Sequence, residues 1–130
     1  MAEREIAAIL TRDVLRLAPE TPMREAIARL TASGQPLACI CDGTGELLGV
    51  LSPKDCFGAA LNASYYRQWS GTVQDHMSQA VVGLPADLDI IAAAETFQSQ
   101  PFRAYPVTEA GRLVGLLTRE DLLRAFLDLG

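Results

Sequence analysis

The sequence predicts a mixed α/β fold built twice, two successive β-α-β-β-α repeats in 130 residues. Three observations predict it. The string GVLSPKD, Gly49 to Asp55, returns as GLLTRED, Gly115 to Asp121, at an offset of 66 residues (115 − 49). The same offset joins Gly45 to Gly111, Leu47 to Leu113, Leu51 to Leu117 and Ala59 to Ala125. The order of apolar helix faces, short apolar runs and turn clusters is also the same in both halves. A string repeated together with its context marks an internal duplication. Standing alone, either half would bury only about 60% of its unfolded surface. A single module of two repeats, 1–66 with the N-terminal segment and 67–130, is the expected organisation.

The elements follow in order. VLRL, Val14 to Leu17, is a short strand. In ETPMREAIARL, Thr21 can cap and Pro22 suits the first helical position, where its missing N–H costs nothing. Met23, Ala26, Ile27 and Leu30 then form one apolar helix face, and Gly34 is the stop. PLACIC is a strand, DGTGE a turn and LLGVLS a second strand, together a hairpin. PKDCFGAALN is a helix with Ser52 as cap and Pro53 first. The second half repeats this as VVGL, DLDIIAAAETF, RAYPV, TEAGR, LVGLLT and REDLLRAFLDL. Between the halves, ASYYRQWSGT holds two of the three tyrosines and the only tryptophan. Rings of that size favour burial, so this linker is expected to pack across the halves or at a subunit contact.

Composition narrows the function. The chain is 49% hydrophobic and 21% charged, with mean hydropathy +0.16, as in ordinary globular domains. Its net charge is −5 and its basic residues are scattered among acids, so nucleic acid is not an expected partner. No apolar run approaches the ~20 residues of a membrane helix, and MAEREIAAIL is no signal peptide. Three cysteines, Cys39, Cys41 and Cys56, make no disulfide framework and are read as free thiols in the cytoplasm.

The repeated string has two readings, and both can hold at once. In the first, Ser52 and Thr118 are helix caps, Asp55 and Asp121 stand at the capping-box position, where Asp reaches back less well than Glu or Gln but suits the helix dipole, and Gly49 and Gly115 relieve crowding. In the second, a strand ends, a hydroxyl follows, and a helix N-terminus opens toward phosphate. The carboxylate then accepts hydrogen bonds from ribose hydroxyls, and glycine leaves room beside the strand.

The doubled β-α-β-β-α order, with G-h-h-[ST]-x-x-D at the last strand–helix junction of each half, resembles a tandem pair of CBS (cystathionine β-synthase) domains. The resemblance runs from about Ile9 to Leu129, and YPVTEAGRLVGLLTREDLL carries it most fully. The first half departs, with Ile40 where the second has Pro106. The resemblance implies a regulatory module, not an enzyme, whose halves pack sheet to sheet with pseudo-twofold symmetry. It implies clefts for adenosine compounds such as AMP, ADP, ATP or S-adenosylmethionine, with no obligatory cofactor. Thr118 and Asp121 would serve one site, Ser52 and Asp55 the other, beside Gly115 and Gly49. Adenine would rest against Val81, Val82, Leu84, Tyr105 and Pro106, or against Val14, Leu15, Leu17, Cys39 and Ile40. Homodimers through helix faces, and an effector protein downstream, complete the implication. The rival expectation is a ligand-free dimerisation or interaction scaffold in which both motifs are caps alone.

Other residues attract weaker readings. Cys39 and Cys41 are two apart on a strand and so share a face, but a structural zinc site needs four ligands. His76, the one histidine, is expected at the surface. No nucleophile elbow, HExxH or P-loop string is present. Lys54, Arg103, Arg112 and Arg119 flank the expected sites, each read as solvated.

Overall fold

A computed structural model describes residues 4–79 and 83–129. Within them, residues 14–79 form one compact unit, and residues 4–13 join 83–129 in another.

In the first unit, β1 (Arg16–Leu17) pairs in parallel with β2 (Ala38–Cys41), which pairs antiparallel with β3 (Leu47–Leu51). Helix α1 (Met23–Ser33) buries Met23, Ala26 and Leu30, the face its periodicity predicts, and ends at Gly34 with φ +69°. Its start differs from expectation. Pro22 holds the cap position, and the Thr21 carbonyl instead accepts the Val73 N–H at 2.9 Å. Helix α2 (Pro53–Tyr66) starts at Ser52 as expected but runs four residues past Asn62, into the presumed linker. Tyr65 and Tyr66 are therefore helical, and they are 82% and 74% exposed, not packed against their own chain. A short helix α3 (Val73–His76) follows, closed by Thr72 and Asp75. The core gathers Leu17, Met23, Leu30, Ile40, Leu51 and Val73.

The second unit repeats the plan with β4 (Leu84–Pro85), α4 (Ile90–Ser99), β5 (Ala104–Glu109), β6 (Arg112–Thr118) and α5 (Arg119–Leu129). Sheet order is β4-β5-β6, with the same parallel then antiparallel pairing. Asp89 caps α4 by accepting the Ile91 N–H at 2.9 Å. Its core holds Ile6, Leu84, Ile90, Phe97, Tyr105, Val107, Leu117 and Leu122.

The N-terminal segment packs into the second unit. Backbone bonding is the reason. Ile6 N–H donates to the Leu88 carbonyl at 2.9 Å, Ala7 to Ala86 at 3.0 Å, and Ile90 back to Arg4 at 2.9 Å. Ile6 is fully buried there. Residues 67–79 stay with the first unit, where Val73 of α3 joins the core and its N–H donates to the Thr21 carbonyl.

The two hairpins differ in length, and this shifts the register between repeats. The second closes on Ala110 and Gly111, with φ +54° and +82°, the paired positive angles of a tight type I′ turn. The first takes one residue more, organised by Asp42, whose carboxylate accepts the Thr44 and Glu46 N–H groups at 2.8 and 3.0 Å. These bonds, the Thr44 hydroxyl first, lower the Asp42 pKa. As a result Cys39 pairs with Val50 as Pro106 pairs with Leu116, while Ile40 corresponds to Val107. The expectation that Ile40 stands at the place of Pro106 is corrected by one residue: Cys39 does.

Candidate functional site

Both copies of the repeated string lie where a strand hands over to a helix, and both are capping boxes. At the second junction the Thr118 N–H donates to Asp121 Oδ2 at 2.9 Å, and the Asp121 N–H donates to Thr118 Oγ1 at 3.1 Å. At the first the Ser52 N–H donates to Asp55 Oδ2 at 2.9 Å and the Asp55 N–H returns to Ser52 Oγ at 3.4 Å.

The carboxylates differ in what else they hold. Asp121 is 5% exposed. Thr11 Oγ1 donates to both its oxygens at 3.2 Å, and Arg124 Nη2 donates to Oδ1 at 2.8 Å. With about four lone-pair sites on a carboxylate, little capacity is left. Asp55 is half-buried. Among the described residues its side-chain partner is Ser52, whose hydroxyl lies at 3.0 Å. Gly58 stands where the second repeat has Arg124, and Ser78 where it has Thr11. Asp55 thus keeps free acceptor sites that Asp121 has given to its own chain.

The glycines have a role beyond leaving room. The segment before each repeat's first strand lies on the outer edge of the last strand of a hairpin. Thr11 and Leu116 exchange backbone bonds at 2.8 Å both ways, and Ser78 and Val50 do so at 2.9 and 3.0 Å. A Cβ on Gly115 would stand 2.6 Å from the Thr11 carbonyl oxygen, and one on Gly49 would stand 2.6 Å from that of Ser78. Glycine is required here because backbone crosses backbone. Sequence reasoning passed over Thr11 and Ser78. The signal was present: L-T-x-x-V-x-x-L from Leu10 recurs as M-S-x-x-V-x-x-L from Met77, at an offset of 67.

Strand alternation sorts the apolar candidates. Tyr105 belongs to the helix-facing core, its ring edge-on to Phe97 at 4.8 Å and to Phe102 at 5.7 Å. Pro106, the next residue, is buried outside that cluster, so the two do not line one site. In the first unit Ile40 and Leu15 pack with the helix-facing core, whereas Cys39 and Val14 are buried outside it. Val81 and Val82 lie outside the described residues. Cys39 and Pro106, with Val14, are thus the expected apolar residues on the sheet face away from the helices.

The thiols are quiescent. Burial, with a contribution from Cys41, pushes the Cys39 thiol up to about 12, and burial also raises Cys41 and Cys56. All three are free and buried. Among the described residues no group of three metal-ligating side chains converges, and no helix is long and apolar enough to cross a membrane.

Two β-α-β-β-α units, each ending in a hydroxyl–carboxylate strand–helix junction, define a duplicated α/β module. The CBS domain model matches residues 5–62 and 73–128, and the chain belongs to the CBS domain family. A 17.7 kDa uncharacterised protein of Acidianus ambivalens is 25% identical over 126 residues, spanning 96% of this chain and 74% of that one. Among solved structures, CBSX2 in complex with AMP is 24% identical with a TM-score of 0.84, covering 96% of this chain and 97% of its own. The cytosolic domain of the Mg2+ channel MgtE in complex with ATP is 25% identical with a TM-score of 0.80, covering 95% and 49%. The CBS domain pair of MJ0100, in complex with 5′-methylthioadenosine and S-adenosyl-L-methionine, is 21% identical with a TM-score of 0.76, covering 97% and 98%.

Proposed function

We propose that this protein is a cytoplasmic regulatory module, not an enzyme. It binds an adenosine-containing nucleotide of the AMP, ADP, ATP or S-adenosylmethionine type at its strand–helix junctions, and it signals through a homodimer to an effector protein. The observation that carries the reading is the Ser52–Asp55 junction, a carboxylate with unused acceptor sites beside a helix N-terminus. Vicinal ribose hydroxyls suit the first and a phosphate the second. The structural neighbours held AMP, ATP and S-adenosylmethionine, which supports an adenosine ligand. Gly49 positions the junction by admitting the Ser78 backbone; Cys39 and Val14 supply apolar surface for a base. Binding shifts the dimer or the effector contact only as far as one state holds the nucleotide better.

A second reading, the ligand-free scaffold, draws on the other junction, where Thr11 and Arg124 already occupy Asp121. Thermal unfolding of nucleotide-free protein against AMP, ADP, ATP, S-adenosylmethionine and a guanosine control separates the two. A ligand at 100 times its Kd stabilises by about 2.7 kcal/mol, several degrees for a chain of this size. No shift with any adenosine compound favours the scaffold.

A further inference from the structure

The two junctions can be compared acceptor by acceptor, since a carboxylate offers about four lone-pair sites. At the first junction the Ser52 N–H and the Ser52 hydroxyl both donate to Asp55 Oδ2. Among the described residues no donor reaches Asp55 Oδ1. At the second junction the Thr118 N–H donates to Asp121 Oδ2, and the one proton of the Thr11 hydroxyl is shared between both oxygens. To this point the carboxylates are matched, each holding one backbone N–H and one hydroxyl. The difference is Arg124, whose Nη2 donates to Asp121 Oδ1 at 2.8 Å. Two vicinal ribose hydroxyls, both donating, need two acceptor sites. Asp55 has about two left, and Asp121 with Arg124 in place has about one.

Arg124 also stands in the path of a ligand. Its side chain is 69% exposed and that of Asp121 4%, so the guanidinium reaches the carboxylate from the solvent side. A ligand must use that side too, because Thr11 and Thr118 hold the carboxylate from within the unit. The equivalent residue of the first repeat, 66 positions earlier, is Gly58, and there Asp55 is only half-buried.

We propose that Arg124 is an internal occupant of the second junction, its guanidinium holding the carboxylate oxygen that a ribose would take. The residue three places after the junction aspartate then decides which junction is open. Arginine closes Asp121, and glycine leaves Asp55 open, so the chain takes one nucleotide, at Ser52–Asp55. This rests on the adenosine ligand of the proposed function and assigns it to one of the two junctions.

Variants at these two positions test it. Arg124→Ala removes the guanidinium and keeps a good helix former. Gly58→Arg supplies a guanidinium three places after Asp55. No side chain or neighbouring element lies within 4 Å of where its Cβ would stand, and losing a mid-helix glycine favours the helix. Equilibrium dialysis of the nucleotide-free full chain against AMP, and separately against ATP, reads the amount bound per chain. The wild type is expected to bind about one nucleotide and Arg124→Ala about two. Gly58→Arg is expected to bind at least about tenfold more weakly than wild type. Circular dichroism checks that both variants stay folded. A wild type that binds neither nucleotide overturns the proposed ligand and this inference with it. A wild type that binds two, an Arg124→Ala that still binds one, or a Gly58→Arg that binds like wild type overturns the arginine's role and leaves the ligand standing.

Discussion

Two aspartates in equivalent places do unequal work, and the difference is set by single residues around them. Asp121 is buried and bonded to Thr11, Arg124 and the Thr118 N–H. Removing it strands the Thr118 N–H and the Thr11 hydroxyl, whereas the exposed Arg124 turns to water, so Asp121→Ala should cost about 2–3 kcal/mol, by urea unfolding. Asp55→Ala loses only a cap and should cost about 1 kcal/mol. The glycines make a sharper case. With a backbone carbonyl 2.6 Å from the new Cβ, Gly49→Ala and Gly115→Ala should each destabilise by about 1–3 kcal/mol, as forced overpacking does. The caps were legible from Ser52 and Thr118 alone. The bond from Thr11 to Asp121 was not, because Thr11 lies 110 residues away and only the fold brings it there.

At the scale of elements, one extra hairpin residue decides which side chain faces where. A fixed offset of 66 holds for the last strand and helix and fails for the strand before. A strand slipped by one residue presents its other face. That is why Ile40 read as a match for Pro106, when Cys39 is. Tyr105 was singled out for a ligand, yet its ring lies in the helix-facing core, with a buried hydroxyl that has no hydrogen-bond partner among the described residues. Tyr105→Phe should therefore leave nucleotide binding unchanged and stability equal or higher, since it removes an unpaired polar group. Burial raises the Cys39 pKa to about 12 from an ordinary 9.0. A group raised in the folded state favours folding below its unfolded pKa, and that share is lost as pH rises from about 9 toward 12. The urea midpoint should fall over this window less steeply in Cys39→Ala than in wild type.

At the scale of the whole molecule, the duplication was legible because order, spacing and apolar faces all repeat together. The exchange of leading segments was not. Residues 4–13 join the second unit and residues 67–79 the first, and the sequence trace of this, L-T-x-x-V-x-x-L recurring as M-S-x-x-V-x-x-L, runs at an offset of 67 and not at the 66 of the repeated string. The tyrosines of the aromatic linker find no cover on their own chain. Their rings favour burial, but α2 carries Tyr65 and Tyr66 out on an exposed turn where the folded chain supplies none. The central claim is that this module holds an adenosine nucleotide through a junction carboxylate, with Asp55 the readier of the two. Calorimetric titration of AMP and ATP into nucleotide-free wild type, Asp55→Asn and Asp121→Asn tests it most directly. The account predicts saturable binding to wild type, weakened at least about tenfold in Asp55→Asn and less in Asp121→Asn. No saturable heat with either nucleotide, or wild-type affinity in Asp55→Asn, would contradict it.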